Sequence, residues 1–240
     1  MALLEVQAIG KNFRGLRALH DVSFSIPEGA VHAMIGPNGA GKTTCFNVMA
    51  GVYTPDDGSI HFDGKAITGL RPDQICRAGI GRTFQVVKPF PGLSVLDNVV
   101  VGALNATNSV ARARAEAMRV LELLHLAVKA AHPAASLTLP ERKRVEVARA
   151  MATRPRLLLL DEVMAGLRPT EVDEMVAVFR RVNQETGLTI LLIEHVMRAV
   201  MALAQHIVVL HYGEKISEGA PRDVVRDPAV LECYLGEEAL

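Results

Sequence analysis

The chain lacks any long hydrophobic run, although 50% of its 240 residues are hydrophobic. A membrane-spanning helix needs about 18 uninterrupted apolar residues, and the longest apolar runs here are only as long as a β-strand. The chain begins Met1-Ala2-Leu3-Leu4-Glu5, without the charged segment and apolar core of a secretion signal. These two absences predict a cytoplasmic protein that does not itself cross a membrane.

Neither net charge nor paired cysteine is present. Lys+Arg and Asp+Glu each total 26, so the formal net charge is zero and no global basic field favours nucleic acid. Cys45, Cys76 and Cys233 have no paired spacing, which predicts small core residues of a reducing compartment. We therefore expect no nucleic-acid partner and no disulfide framework.

One stretch carries most of the chemical information, and it reads Gly36-Pro37-Asn38-Gly39-Ala40-Gly41-Lys42-Thr43-Thr44. It matches G-x-x-x-x-G-K-[ST] between a predicted strand and a predicted helix, a context that an ordinary glycine-rich turn does not explain. The glycines permit positive φ, which turns successive N–H groups onto an anion, and the helix start adds its positive dipole end. Lys42 is expected to reach the β- and γ-phosphates, and the Thr43 hydroxyl to bind Mg²⁺. The stretch predicts a nucleoside triphosphate site.

A second constellation follows the four leucines of residues 157–160, which predict a strand buried on both faces. Asp161 and Glu162 come directly after it, at the sheet edge where α/β proteins bind ligands. Asp161 suits Mg²⁺, and Glu162 suits a base that polarises an attacking water. The alternative is an acidic cap after a strand, which the upstream phosphate loop makes less favoured. His195 follows another apolar strand and is predicted to lie on the same edge.

The remaining pattern predicts an α/β fold. Short strands, the first at residues 3–9, fill the first third together with a turn at residues 10–15 that carries Phe13. Helical periodicity of roughly 3.6 residues marks residues 110–125. After residue 156, strands and helices alternate as in a parallel sheet.

We predict one domain over residues 1–240. Its core, which includes the short strands, covers residues 1–85 and 139–240, and a helical subdomain covers roughly residues 86–138.

In this order and spacing the motifs resemble those of the ATP-binding subunit of ABC transporters over essentially the whole chain. The resemblance implies a P-loop NTPase fold of ABC type, with a mixed core sheet, an antiparallel β subdomain and a helical subdomain. Asp161 and Glu162 would be the Walker B aspartate and the catalytic glutamate, Gln85 the Q-loop glutamine, and His195 the switch histidine. Phe13 falls where the family stacks an aromatic ring on adenine.

These assignments imply three sets of site residues. The catalytic residues would be Lys42, Glu162 and His195. The nucleotide-binding residues would be Phe13, Gly36, Pro37, Asn38, Gly39, Ala40, Gly41, Lys42, Thr43, Thr44 and Gln85. The Mg²⁺ ligands would be Thr43, Gln85 and Asp161.

The signature loop departs from the family pattern. The family has Leu-Ser-Gly-Gly-Gln before Walker B, and this chain has Leu137-Thr138-Leu139-Pro140-Glu141. Both glycines are absent, Pro140 removes an N–H donor, and Glu141 adds negative charge where a phosphate of a partner's nucleotide would dock. Thr138 and Glu141 have the spacing of a capping box, which predicts an intact helix start. We expect a working but weaker composite site.

Within the family the chain resembles the branched-chain amino-acid importers, in particular the first of their two ATPase subunits. The similar stretches include Gly81-Arg-Thr-Phe-Gln85, Val208-Val-Leu-His-Tyr-Gly-Glu-Lys-Ile216 and Cys233-Tyr-Leu-Gly236. The resemblance implies ATP hydrolysis that drives uptake of branched-chain or related amino acids. It implies a location on the inner face of the cell membrane. The implied partners are a second ATPase subunit (a second copy or a paralogue), two membrane permease subunits and, indirectly, a periplasmic solute-binding protein.

Alternatives remain at this point. The solute could be urea or another amino acid or amide, or the chain could be a nucleotide-gated switch with weak hydrolysis. An ABC-type protein that acts on nucleic acid or ribosomes is disfavoured by the neutral charge and the absence of a coiled-coil insert. Val86, Val87, Phe90 and Leu93 could form an exposed docking patch for the membrane subunits, or pack the helical subdomain.

Overall fold

The computed structural model describes residues 2–85 and 88–235, and their strands and helices alternate over most of the chain. The described strands are β1 Ala2–Phe13, β2 Leu16–Pro27, β3 Val31–Ile35, β4 Asp57–Phe62, β5 Lys65–Ala66, β6 Ile80–Arg82, β7 Leu157–Asp161, β8 Thr189–Ile193, β9 His206–His211 and β10 Glu214–Gly219. The described helices are α1 Lys42–Met49, α2 Pro72–Ala78, α3 Val95–Ala103, α4 Val110–Leu123, α5 Leu139–Ala152, α6 Pro169–Thr186, α7 Met197–Leu203, α8 Pro221–Val224 and α9 Pro228–Leu235. None of the helices in these described residues is long and apolar enough to span a membrane.

The central sheet has the described strand order β10-β9-β3-β8-β7-β6, with all neighbours parallel except β10, which runs antiparallel to β9. Strands β3, β7 and β8 are buried at every position, as expected where both faces of a parallel sheet are covered. Their carboxyl ends meet at one edge, because parallel strands all end on the same side. Gly36, Asp161 and Glu194 are at or just after these ends, so the predicted motifs share one edge.

A second sheet, in the order β2-β1-β4-β5, is antiparallel throughout its described pairs. Successive side chains of a strand point to opposite faces, and β7 follows this rule: Leu158 and Leu160 join one hydrophobic cluster, and Leu157 and Leu159 join the other. The second cluster contains the inner faces of β1, β2 and β4 together with α1, for example Phe46. The antiparallel sheet and the phosphate-loop helix are therefore packed on the same side of the central sheet.

The predicted turn at residues 10–15 is wrong, because β1 continues to Phe13 and only Arg14 and Gly15 form the turn. The strand continues because Asp56 pairs with its backbone: the carboxylate accepts from the Asn12 N–H at 2.6 Å, and the Asp56 N–H donates to Gly10 at 2.8 Å. Phe13 consequently lies at a strand end rather than within a loose loop.

Helices α3, α4 and α5 pack together, and α5 also contacts β6 and β7. Val99, Val120 and Val147 of these helices belong to the same hydrophobic cluster as Leu158 and Ile190 of the central sheet. The helical region thus shares its core with the sheet. A division at about residues 86 and 138 stays a prediction.

An apolar groove opens beside these helices, with a volume of about 250 Å³. Its apolar walls include Val52, Ile75, Ile80, Phe84 and Val101, and it is also lined by Arg82, Glu146 and Arg149; we call this cavity the apolar groove. Phe84 is 57% exposed and Val101 is 44% exposed, so part of the groove faces solvent.

The apolar patch predicted from the sequence follows the groove residue Phe84 closely along the chain. Phe90 and Leu93 are exposed, and the Phe90 ring lies 4.8 Å from the guanidinium of Arg149, a groove residue. Val86 and Val87, the other two members of that patch, lie outside the described residues.

Candidate active site

The phosphate loop is shaped by three glycines with positive φ: 147° at Gly36, 78° at Gly39 and 97° at Gly41. A Cβ atom on Gly36 would overlap the carbonyl oxygen of Leu210, and one on Gly41 would lie 2.6 Å from the carbonyl oxygen of Ala18. A Cβ on Gly39 would meet nothing within 4 Å. Two of the glycines are therefore required by the close approach of neighbouring backbone as well as by φ.

Lys42 is folded back onto this loop. Its Nζ donates to the carbonyl oxygens of Gly36 and Pro37, both at 2.7 Å, and the residue is only 6% exposed. Lys42 is also the first residue of α1, whose first N–H groups have no partner within the helix. The loop thus combines a buried ammonium group with a helix N-terminus, the arrangement that favours phosphate.

A cleft of about 550 Å³ opens over the loop. Of the residues predicted to bind nucleotide, those that line it are Phe13, Asn38, Gly39, Ala40, Gly41, Lys42, Thr43, Thr44 and Gln85. Gly36 and Pro37 contribute instead through the carbonyl groups that hold Lys42. Phe13 has an aromatic neighbour, because its ring meets that of Tyr53 edge-on with centroids 5.1 Å apart. Leu16 and Tyr212, which were not predicted, form exposed parts of the cleft wall.

The three predicted metal ligands, Thr43, Gln85 and Asp161, line one adjoining cavity of about 460 Å³. The Asp161 carboxylate is buried; its Oδ2 accepts from Arg82 at 3.0 Å, and its Oδ1 has no hydrogen-bond partner among the described residues. Burial raises the pKa of Asp161, against the lowering effect of Arg82. A buried carboxylate oxygen without a donor, beside a hydroxyl, fits a hard divalent cation such as Mg²⁺.

Arg82 is a site residue that the sequence did not reveal. Besides Asp161 it donates to Asn47 Oδ1 of α1 at 2.6 Å, so it joins the end of β7 to the phosphate-loop helix. The neighbouring Thr83 hydroxyl accepts from the Asp161 N–H at 3.0 Å. Asp161 is far from Arg82 and Thr83 in sequence, and the pairing of β6 with β7 brings them together.

Glu162 meets two other predicted residues at the same edge. Its Oε2 accepts from Gln85 Nε2 at 2.6 Å, and its Oε1 lies 3.0 Å from His195 Nε2. The Glu162 backbone is left-handed, with φ of 49°, a conformation that is strained for a residue with a Cβ. The carboxylate is therefore held at a defined position on both sides, with lone pairs left over for a further donor such as water.

The signature-loop residues Thr138, Leu139, Pro140 and Glu141 do not line this cleft. Glu141 is occupied as a helix cap: its Oε2 accepts from the Thr138 N–H at 2.9 Å and from the Thr138 hydroxyl at 3.0 Å. These bonds, the one to the backbone first, lower the pKa of Glu141, with Lys129 at 3.3 Å as a further cause. Pro140 lies in the first turn, where a missing N–H is tolerated. The predicted capping box is present, and its carboxylate points to the chain's own backbone.

Comparison with known proteins agrees with this geometry. The ABC transporter family model matches residues 19–165, and the model of the branched-chain amino acid ATP-binding cassette transporter matches residues 214–239. The high-affinity branched-chain amino acid transport ATP-binding protein BraF of Pseudomonas aeruginosa is 40% identical over 98% of each chain. LivG of Escherichia coli, a protein of the same description, is 36% identical over 98% of each chain. The lipopolysaccharide export system ATP-binding protein LptB of Acidithiobacillus ferridurans is 35% identical over 98% of each chain.

The chain is also similar to solved structures of ABC transporter cassettes. The ADP conformation of MJ1267, an ATP-binding cassette of an ABC transporter, is 32% identical with a TM-score of 0.89, over 98% of this chain and 99% of that one. A dimeric post-hydrolysis state of the cassette MJ0796, bound to ADP and Pi, is 25% identical with a TM-score of 0.82, over 91% of this chain and 99% of that one. The predicted fold class and resemblance are confirmed. The chain belongs to the ABC transporter family, as one of its ATP-binding cassette proteins.

Proposed function

We propose that this chain is the ATPase subunit of an importer for branched-chain or related amino acids, and that it works on the inner face of the cell membrane. The observation that carries the ATPase assignment is the meeting of Gln85, Glu162 and His195 beside the phosphate loop. The similarity to BraF and LivG over nearly the whole chain supports the class of solute.

In the proposed reaction a water molecule attacks the γ-phosphate of ATP in line with the leaving oxygen. Glu162 accepts a hydrogen bond from that water and orients it, while Gln85 and His195 keep the carboxylate in place. Lys42 exchanges its carbonyl partners for phosphate oxygens and neutralises their charge. The Thr43 hydroxyl and Asp161, with Gln85, would hold Mg²⁺, which when bound neutralises charge on the β- and γ-phosphates.

We propose further that the working unit is a pair of ATPase subunits. In that arrangement the loop of residues 138–141 faces the partner's nucleotide. Two observations support it: this loop lies away from the chain's own cleft, and the similar cassette MJ0796 is dimeric. The second subunit is another copy of this chain or a paralogue.

We propose that the apolar groove receives a segment of a membrane permease subunit. Three of its apolar side chains, those of Val52, Phe84 and Val101, are exposed, and an exposed apolar cluster is typical of a binding surface. The groove is also lined by three charged residues, Arg82, Glu146 and Arg149, of which Arg149 is the most exposed and could give such a segment a polar contact. Amino-acid uptake then depends on two permease subunits and on a periplasmic solute-binding protein that this chain need not touch.

The ATPase proposal is tested by measuring ATP turnover against concentration of the purified chain, for wild type and Glu162→Gln. We expect turnover to rise faster than linearly with concentration, to be lost in Glu162→Gln, and to persist in Glu185→Gln, an exposed control on α6. Light scattering with ATP should detect a dimer of the Glu162→Gln variant. Wild-type turnover that Glu162→Gln leaves unchanged would overturn the assignment of the base.

The solute is tested in vesicles that contain the permease subunits, the second ATPase and the binding protein. Uptake of radiolabelled leucine that requires ATP and an intact Glu162 supports the proposal. Uptake of urea or an amide instead of leucine, or export, would replace the solute or the direction while the ATPase assignment stands.

A second candidate, a nucleotide-gated switch with weak hydrolysis, is favoured by one observation. Glu141 is tied to Thr138 and Lys129, so the loop carries a negative charge where the family has glutamine, and Pro140 removes one of the two glycine N–H donors. An ATP-dependent dimer that forms normally but turns over no faster than Glu162→Gln would support this candidate.

A further inference from the structure

Two buried charged side chains lie under the segment that carries Glu162, and the proposed mechanism does not use them. Lys143 of α5 is 5% exposed, and Glu194, the residue after β8, is 1% exposed. Burial raises the pKa of Glu194 to about 7 and lowers the pKa of Lys143, and each group partly offsets this by favouring the charged form of the other. Burying both groups costs free energy of folding, so the contacts that their side chains make are informative.

Both side chains bind the backbone of the same short segment. Lys143 Nζ donates to the carbonyl oxygen of Glu162 at 3.0 Å. Glu194 Oε1 accepts from the N–H of Met164 at 2.8 Å. Residues 162–164 are thus held at both ends, from a helix on one side and from a strand end on the other.

The segment needs such support because Glu162 has φ of 49°. A left-handed backbone at a residue with a Cβ persists only where its surroundings fix it. The direction of the Glu162 carboxylate, toward Gln85 and His195, follows from that backbone. Glu194 also directly precedes His195, so one anchor fixes the approach of the histidine as well.

We propose that Lys143 and Glu194 are positioning residues for Glu162: together they clamp residues 162–164 in the geometry that aims the carboxylate at Gln85 and His195. Neither side chain lines the nucleotide cleft, so they act through the backbone. The effect of the clamp on turnover rests on the proposed ATPase function, whereas its effect on the segment does not.

The clamp is tested first without nucleotide, by hydrogen exchange and mass spectrometry on the purified full chain. Glu194→Met removes the acceptor of the Met164 N–H, whereas Glu194→Gln keeps an oxygen there. We expect exchange in peptides that cover residues 162–167 to speed up roughly tenfold or more in Glu194→Met and Lys143→Met. We expect little change in Glu194→Gln and in Lys215→Met, a control outside the site. Unchanged exchange in both methionine variants would overturn the proposal.

Turnover gives the second readout. Lys143→Met should lower kcat roughly tenfold or more, with KM for ATP changed by no more than about twofold, because Glu162 is misplaced while the phosphate loop is intact. Lys143→Arg should recover much of kcat, since it keeps the charge and a donor. A parallel loss in kcat and ATP affinity, or no rescue by arginine, would mean a general structural role and contradict the proposal.

The outcomes separate the clamp from the proposed function. A wild-type chain that shows no turnover in any assembly contradicts the ATPase proposal, while the exchange experiment still decides the clamp. If Lys143→Met fails to fold, the comparison of Glu194→Met with Glu194→Gln decides it alone.

Discussion

At the scale of single residues, the two oxygens of Asp161 have different partners. Oδ2 accepts from Arg82, whereas Oδ1 has no hydrogen-bond partner among the described residues, which is why we propose it as a Mg²⁺ ligand. The Arg82 side chain is itself largely buried, so the pair is not a surface salt bridge of small effect. Without the guanidinium, the buried carboxylate would lose the hydrogen bond from Arg82 and its main source of positive charge, since the charge of Lys42 has a smaller effect.

We therefore predict that Arg82→Met lowers the free energy of unfolding by about 3 kcal/mol. It should also weaken the dependence of nucleotide affinity on Mg²⁺, because protonation of Asp161 becomes more favourable. Urea unfolding and nucleotide titrations with and without Mg²⁺ measure the two effects. The exposed Arg77→Met is the control, and an equal loss of stability in both variants would contradict the argument.

His32 gives a pH prediction. It is buried in β3 and stacked on His206 with ring centroids 4.9 Å apart, and burial is the main cause that lowers its pKa from 6.5 to about 4. Below its ordinary pKa the unfolded chain binds a proton that the fold excludes, so stability falls with falling pH. From about pH 7.5 to about pH 5 this loss amounts to about 2 kcal/mol.

His32→Phe should remove that part of the pH dependence. Urea unfolding at the two pH values measures the change in the free energy of unfolding for wild type and variant. The difference between the two changes cancels the contribution of the carboxylates, which both proteins share. His132→Phe, at an exposed position, should keep the wild-type dependence. A slope in His32→Phe equal to that of wild type would show that His32 is not the group responsible.

Sequence reasoning reached some of these residues and missed others for a physical reason. The phosphate loop has its function encoded in nine consecutive residues, so local pattern suffices. Arg82, Lys143 and Glu194 act on residues that are distant in the chain, and as isolated letters they indicate only a strand residue, a basic helix face and a strand end. Their roles depend on which strands and helices are neighbours, which the pattern does not specify.

At the scale of elements, α5 begins with an acidic cap where the family has a glutamine. Glu141→Gln keeps an oxygen for the Thr138 N–H but removes the negative charge that would face a partner's phosphate. We predict that turnover of the paired subunits rises about two- to threefold, while the free energy of unfolding changes by less than about 1 kcal/mol.

Steady-state ATPase assays and thermal unfolding check this prediction. Glu122→Gln, on the exposed side of α4, is the matched control. Reduced turnover in Glu141→Gln would mean that the carboxylate itself is needed at the interface.

The elements that the sequence pattern predicted poorly are strands whose extent depends on pairing with neighbouring segments. β1 is longer than predicted because Asp56 continues its pairing. β10, which carries a mixed polar pattern, was not predicted, and it forms only because β9 supplies an antiparallel partner. The buried strands β3, β7 and β8 were predicted, because a short unbroken apolar run is typical of a strand with both faces covered.

At the scale of the whole molecule, the apolar groove adjoins the Asp161 site, because Arg82, Phe84, Glu146 and Arg149 line both. A permease segment bound there would therefore reach side chains, Arg82 among them, that also line the Asp161 site. This arrangement makes the groove the place where transport and hydrolysis would be coupled.

We predict that Val101→Asp weakens assembly with the permease subunits roughly tenfold or more, because a charge would be buried on binding. Co-purification and amino-acid uptake in vesicles measure the effect. Val110→Asp, an exposed valine at the start of α4 outside the groove, is the control. Equal uptake by both variants would exclude the groove as the docking site.

The close backbone contacts of the phosphate loop limit which substitutions it tolerates. Gly36 and Gly41 face carbonyl oxygens of Leu210 and Ala18, so a side chain at either position would require the neighbouring backbone to shift. Substitutions that alter nucleotide preference are therefore expected at the rim of the cleft, where the side chains of Leu16 and Tyr212 are exposed. The nucleotide site thus combines two glycine positions that tolerate few substitutions with an exposed rim that tolerates more.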